Sequence, residues 1–130
     1  MNNDVRDRLI IARETLEEAQ ILFDNQRYPA TVERTYFTIE HAAAAMLLHE
    51  GMKVETHYGV KVKFGEIFAK TGRVERRFGT MVADAYDLRI DAEYVSAARS
   101  GISRGVAEEQ LRTATDFLKM AEVFVRGQNS

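Results

Sequence analysis

YPATVERTYFTIEHAAAAMLLHEG, residues 28–51, decides the fold. Its proline stands where the first turn of a helix tolerates one, and Gly51 stands where a helix ends in a left-handed cap. Between them lies the most apolar long segment of the chain, with no glycine or further proline to interrupt it. The spacing predicts one helix from about Tyr28 to Gly51. On such a helix, residues four and seven apart differ in direction by about 40° and 20°. Arg34, Thr38 and His41 therefore share a stripe with Phe37, Ala45 and Leu48, and these polar groups face inward or line a groove. A buried guanidinium is costly without a counter-charge. Arg34 thus calls for a bound anion or a carboxylate, with Asp87, Asp91 and Glu93 as candidates. The simpler readings, a structural ion pair for Arg34 and a hydrogen-bonded core histidine for His41, are slightly favoured over a ligand site.

Helical periodicity continues on both sides. Upstream, Val5, Leu9, Ala12, Leu16, Ala19 and Phe23 recur at fours and threes, on a helix capped by Asn3 or Asp4 and ending near Asp24 to Gln26. Downstream, Val60, Phe64, Ile67 and Phe68 predict a short helix over His57–Lys70, closing at Gly72. A fourth helix is predicted over about Val74–Ala98 with Met81, Ala85, Leu88, Ala92 and Val95 as its stripe, bent or interrupted at Gly79. The last, about Ser103–Arg126, carries Ala107, Leu111, Ala114, Leu118, Ala121 and Val125. Short connections between such stripes predict an all-α fold, a four- or five-helix antiparallel up-down bundle, as one domain over residues 1–130. Coiled-coil dimerisation is the rival use of the stripes, but the alanines at 12, 19, 107, 114 and 121 favour close packing within one bundle.

The 130 residues contain no cysteine, which excludes disulfides, thiolate metal sites and cysteine nucleophiles and suits a reducing, cytoplasmic setting. MNNDVRDRLIIARE at the N-terminus reads as neither a signal peptide nor a membrane span, so a soluble protein is expected. The formal charge of −2 is unevenly spread: residues 51–77 hold 7 basic and 3 acidic side chains, a local +4, against −4 before them and −2 after. That segment is either a solvated surface or a modest phosphate-binding one. His41, His49 and His57 lack metal-ligand spacing, and no glycine-rich phosphate loop or nucleophile elbow occurs, so neither metal nor cofactor is expected. Arg89 and Glu93, with Tyr86 one turn earlier, have the spacing of an ordinary exposed helix pair.

Three blocks carry a family likeness: RYPATVERTYFTIEHAAAAMLLHEG (27–51), THYGVKVKFGEIFAKTG (56–72) and LRIDAEY (88–94). Together they resemble the HEPN domain family (higher eukaryote and prokaryote nucleotide-binding), in particular its small stand-alone prokaryotic branch. Arg34, Tyr36, Phe37, His41, Ala42 and Ala43 match the first block of the family pattern. Thr56, His57, Gly59, Val60, Phe64, Lys70 and Gly72 match the second, and Leu88, Arg89, Ala92 and Tyr94 the third, with Glu93 in place of an aspartate.

The resemblance implies a bundle of four or five helices, frequent homodimers, and pairing with a minimal nucleotidyltransferase in two-component, toxin-antitoxin-like modules. Many members of the family are metal-independent endoribonucleases with an Arg-x4-6-His motif, histidine moving a proton and arginine stabilising phosphate charge. Others bind nucleotide or RNA without catalysis. This chain departs from the motif: Arg89 is followed by Glu93 and Tyr94 with no histidine, whereas Arg34 and His41 meet the spacing only along one continuous helix. The candidate site is Arg34, His41, Thr56, His57, Arg89, Glu93 and Tyr94. The expected function is a nucleotide- or RNA-binding module. Its alternatives are a ribonuclease using Arg34 with His41 or Arg89 with His57, and a scaffold with an internal ion-pair network.

Overall fold

The computed structural model describes residues 1–96 and 98–127. Five α-helices follow one another with no strand among the described residues: α1 Asn3–Asp24, α2 Tyr28–His49, α3 His57–Phe64, α4 Arg76–Tyr94 and α5 Arg104–Gly127. Helix α2 is the centre of the bundle, packed against each of the other four. Its composition explains this position. Ala42, Ala43 and Ala45 are fully buried, and their small side chains let neighbouring helices approach, while Ile39, Met46 and Leu47 fill the space between them. Phe64, Phe68 and Phe117 complete the main core; each buries an aromatic side chain, with ring centroids 5.2 and 5.3 Å apart across the trio. A smaller cluster of Ala19, Phe23, Val32, Ile102, Ala107 and Leu111 closes the other end.

The first two helices end close to where the sequence places their ends. The cap of α1 is Asn2, whose side-chain oxygen accepts from the Val5 amide at 2.8 Å, one residue before the expected position. At its other end Gln26 adopts φ 61°, and the Arg27 amide reaches back to the Leu22 carbonyl at 2.9 Å. That turn is the kind usually given to glycine. Gly51, at φ 84°, ends α2 as expected, with the Met52 amide on the Leu47 carbonyl.

Helix α3 runs directly into a single π-turn, Gly65–Ala69, in which the Lys70 amide bonds to the Gly65 carbonyl five residues back. Gly79 does not interrupt α4. It lets α4 cross the π-turn, because a Cβ at position 79 would stand 2.7 Å from that of Ala69. Helix α4 is also shorter than expected and rotated about its axis. Its buried line is Phe78, Val82, Ala85 and Arg89, whereas Met81, Leu88 and Ala92 are only half-buried. Ala97, within the expected span of this helix, lies outside the described residues. The expected stripe of α5 is buried throughout, with Phe117 added. No helix among the described residues is long and apolar enough to cross a membrane.

Candidate functional site

Tyr36 and Glu40 lie one turn apart on α2, so their side chains share a face. His57 comes to that face because it opens α3. The preceding Thr56 caps this helix, its hydroxyl oxygen accepting from the Gly59 amide at 2.9 Å. Glycine at 59 leaves that cap undisturbed, since a Cβ there would lie 2.7 Å from the Thr56 hydroxyl and 2.8 Å from Val54 and would push these side chains aside. Thr56 thereby spends its side chain on placing its neighbour.

Glu40 accepts two hydrogen bonds on Oε2, one from the Tyr36 hydroxyl at 3.0 Å and a short one from Nδ1 of His57. An ionised carboxylate only accepts, so Nδ1 carries the hydrogen, and Nε2 is the nitrogen left for another partner. Glu40 is largely covered, whereas the His57 side chain is 42% exposed. Burial and the adjacent Glu40 carboxylate push the Tyr36 phenol far above its ordinary range, so it remains a donor. The histidine ring also stands edge-on to Tyr36, with centroids 5.4 Å apart.

Arg89 approaches the same tyrosine from α4. Its guanidinium lies 5.3 Å from the Tyr36 ring centroid and 5.4 Å from that of Tyr86, and Nη1 donates to Glu93 at 2.6 Å. The pair is buried rather than solvent-exposed, contrary to the expectation from spacing. Arg89 occupies a core position of α4, and its Nε has no hydrogen-bond partner among the described residues. The anion it needs is supplied four residues along its own helix. Beyond Tyr86 lie Lys61, with Nζ 4.8 Å from the Tyr86 centroid, and Tyr58, edge-on to Tyr86 at 6.3 Å.

Arg34 and His41 do not join this cluster. Arg34 is partly exposed, 3.5 Å from Glu18 of α1 and against the Phe37 ring, so its carboxylate partner is neither Asp87, Asp91 nor Glu93. The physical reason is that α1 covers that edge of α2. Of the expected inward stripe, Thr38 alone is fully buried among the polar members, its hydroxyl sharing a hydrogen bond with Thr15 at 2.8 Å. His41 is half-buried and accepts on Nδ1 from Arg8 at 2.9 Å. Burial, with help from the Arg8 charge, holds its pKa below the ordinary histidine value. Tyr94 ends α4 largely exposed. Glu40, Tyr86 and Arg8 were not among the sequence candidates; the four-residue step from Tyr36 to Glu40 was the available signal for the first.

Residues 5–124 match the HEPN domain family, a span that runs from the first turn of α1 to the last of α5. The chain belongs to that family. Among relatives of this HEPN chain, a protein of Methanocaldococcus jannaschii named "Putative toxin MJ0605" is 36% identical over 100 residues, covering 74% of this chain and 75% of its own length. A "UPF0332 protein" of Thermotoga maritima is 28% identical over 114 residues, 88% of this chain and 80% of its own. A second M. jannaschii protein, "Putative toxin MJ0142", is 25% identical over 118 residues, with 91% and 79% covered. Of the residues matched by the HEPN blocks, His57 and Arg89 both meet the Tyr36 ring, whereas His41 faces Arg8 of α1.

Proposed function

We propose that this HEPN chain is a toxin-like, RNA-binding module and one half of a two-component system whose other half is a minimal nucleotidyltransferase. The observation that carries the reading is the Glu40-held His57, whose Nε2 is left for an outside partner beside an arginine–tyrosine cluster. A ring nitrogen fixed in direction beside a cationic and aromatic cluster suits recognition of a ribonucleotide, with Nε2 on a ribose hydroxyl. Similarity to two proteins named as toxins supports the toxin-like role. It also motivates the partner, since a toxin needs neutralising in the cell that makes it. A homodimer belongs to the same reading, and sedimentation of the purified chain tests it.

The experiment is anisotropy titration of labelled RNA with wild type and His57→Ala, with circular dichroism to confirm folding. Binding that weakens at least tenfold in the variant supports the site. No binding by wild type refutes the RNA reading.

One observation favours a second reading, metal-independent RNA cleavage. A carboxylate that orients a histidine through Nδ1 is the arrangement general base catalysis uses. His57 Nε2 would take the ribose 2′-hydroxyl proton while that oxygen attacks the phosphorus; the 5′-oxygen leaves and takes a proton from water. Cleavage of an RNA pool in chelator, lost in His57→Ala and retained in Arg34→Ala, would establish this reading over binding alone.

A further inference from the structure

The cations of the basic segment are unequally committed. Lys53 faces Glu55 at 3.5 Å, Lys63 faces Glu66 at 3.5 Å, Arg73 holds Glu50 at 2.6 Å and Arg77 holds Glu75 at 3.3 Å. Lys61, Lys70 and Arg76 have no carboxylate partner among the described residues, and all three line one groove of about 450 Å³ between the π-turn and α4. The groove is open because the side chains between its cations are small: Gly65, Ala69, Gly79 and Ala83. Glu66 also borders it, but its carboxylate is engaged by Lys63.

Lys61 belongs both to this groove and to the aromatic cluster beside His57. His57 and Lys61 are one turn apart on the same face of α3, and Lys61 lies over the Tyr86 ring that Arg89 also covers. Beside Lys61 stands Tyr58, 61% exposed, with Nζ of the lysine 5.9 Å from its centroid. From Lys61 to Lys70 the chain advances about 13 Å along the helix axis. That length spans more than one phosphate of a single strand.

Three unpaired cations in one groove repel one another, and a row of phosphates relieves that repulsion. An exposed aromatic ring at the head of the row adds a surface on which an unpaired base stacks. An acidic peptide would use the cations and leave the ring idle, and a duplex would offer phosphates with its bases already stacked inside.

We propose that this groove is a track for single-stranded RNA: Tyr58 stacks one base, and Lys61, Lys70 and Arg76 carry the phosphates leading away from His57. The proposal rests on the RNA-binding reading and assigns it a path.

The test is anisotropy titration, over a range of salt concentrations, of a short single-stranded RNA and the corresponding duplex. The proteins are wild type, Tyr58→Ala, Tyr58→Phe, the double variant Lys70→Ala/Arg76→Ala, and His57→Ala. Tyr58→Ala is expected to weaken single-strand binding about tenfold, with Tyr58→Phe close to wild type. The double variant removes two cations from the phosphate row and should flatten the log–log salt slope by about 1.4, at about 0.7 per neutralised phosphate for a single strand. Duplex should bind at least tenfold more weakly than single strand. If the Tyr58 and double variants match wild type in affinity and slope while His57→Ala binds weakly, the track is wrong and the RNA-binding reading stands. If wild type binds no RNA, both fall. Equal affinity for the duplex overturns the single-strand assignment.

Discussion

Replacing Glu93 by alanine tests whether the Arg89 pair is a core element or a surface ornament, because the two cases differ several-fold in cost. An exposed pair at this spacing contributes about 0.3–0.5 kcal/mol. Here the arginine side chain is 10% exposed and the glutamate 20%, with Nη1 at 2.6 Å from the carboxylate, and Nε makes no hydrogen bond among the described residues. Removing one partner of a buried pair typically costs about 3–5 kcal/mol, because the remaining charge stays buried. The Tyr36 and Tyr86 rings would still face the guanidinium, and each cation–π interaction offsets about 0.5–1 kcal/mol of that. Water reaching the vacated glutamate position lowers the cost further. The expected loss for Glu93→Ala is therefore about 3 kcal/mol, a drop of about 10 °C in Tm for a chain of this size. Removing both charges with apolar residues of similar volume, as in Arg89→Met/Glu93→Leu, should instead leave stability within about 1 kcal/mol of wild type. Urea unfolding followed by far-UV circular dichroism, with m checked for constancy, reads both. A loss below about 0.5 kcal/mol in Glu93→Ala, or a double variant as unstable as the single one, would refute this account of the pair.

Three further outcomes follow from the same geometry. The fold favours neutral His41, whose pKa is lowered from 6.5, so its contribution is fully present above that pH and is lost as pH falls towards the folded value. His41→Gln should flatten stability against pH below about 6.5, measured by urea midpoints across the acid range. Gly79→Ala gains about 1 kcal/mol of helix propensity but puts a Cβ 2.7 Å from that of Ala69. It should destabilise by about 1 kcal/mol net, and Ala69→Gly in the same chain should restore at least half of the loss; thermal melts decide. Glu40→Leu removes the acceptor that holds His57 Nδ1–H, so the ring nitrogen shifts of His57 in NMR should move towards a mixture of tautomers. Unchanged shifts would mean that Glu40 does not set the tautomer.

The fold was legible where a single period governs a long segment. The α5 line from Ala107 to Val125 and the ends at Gly51 and Gly72 come directly from helical spacing and from φ values of 84° and 75° that favour glycine. The reading failed where one residue type can serve two ends. Gly79 reads as a helix breaker but serves as a crossing point, and Gln26 takes a turn geometry that its identity does not announce. The π-turn left no trace, since one longer hydrogen bond shifts the ladder without altering the apolar pattern of Phe64, Ile67 and Phe68. For the site, the polar residues on α2 were visible as departures from an apolar face, but their partners were not. Glu18 and Arg8 belong to α1, and no rule of spacing along α2 reaches across to another helix. The α4 stripe was misplaced for a related reason: hydropathy assigns Leu88 to the core and Arg89 to solvent. The observed order depends on Tyr36 of α2, which only the folded chain brings onto Arg89, whereas Tyr86 and Glu93 stand about one turn away on α4 itself.

That assembly bears on how Arg89 can serve the proposed site. A guanidinium covered by two rings and held by Glu93 has little charge to offer a phosphate unless Glu93 lets go, and the cost of breaking that pair is of the same order as the few kcal/mol estimated above. A route without that cost runs through Tyr36. Arg89 packs on the Tyr36 ring, the Tyr36 hydroxyl donates to Glu40, and Glu40 holds His57 by Nδ1. Along this chain Arg89 would act as a positioning residue for His57 rather than as a ligand of the proposed RNA. The difference is measurable. Were Arg89 to neutralise a phosphate, Arg89→Met would flatten the salt slope of RNA binding by about 0.7. If Arg89 positions His57, the same substitution leaves that slope unchanged and disturbs the His57 tautomer instead, as Glu40→Leu does.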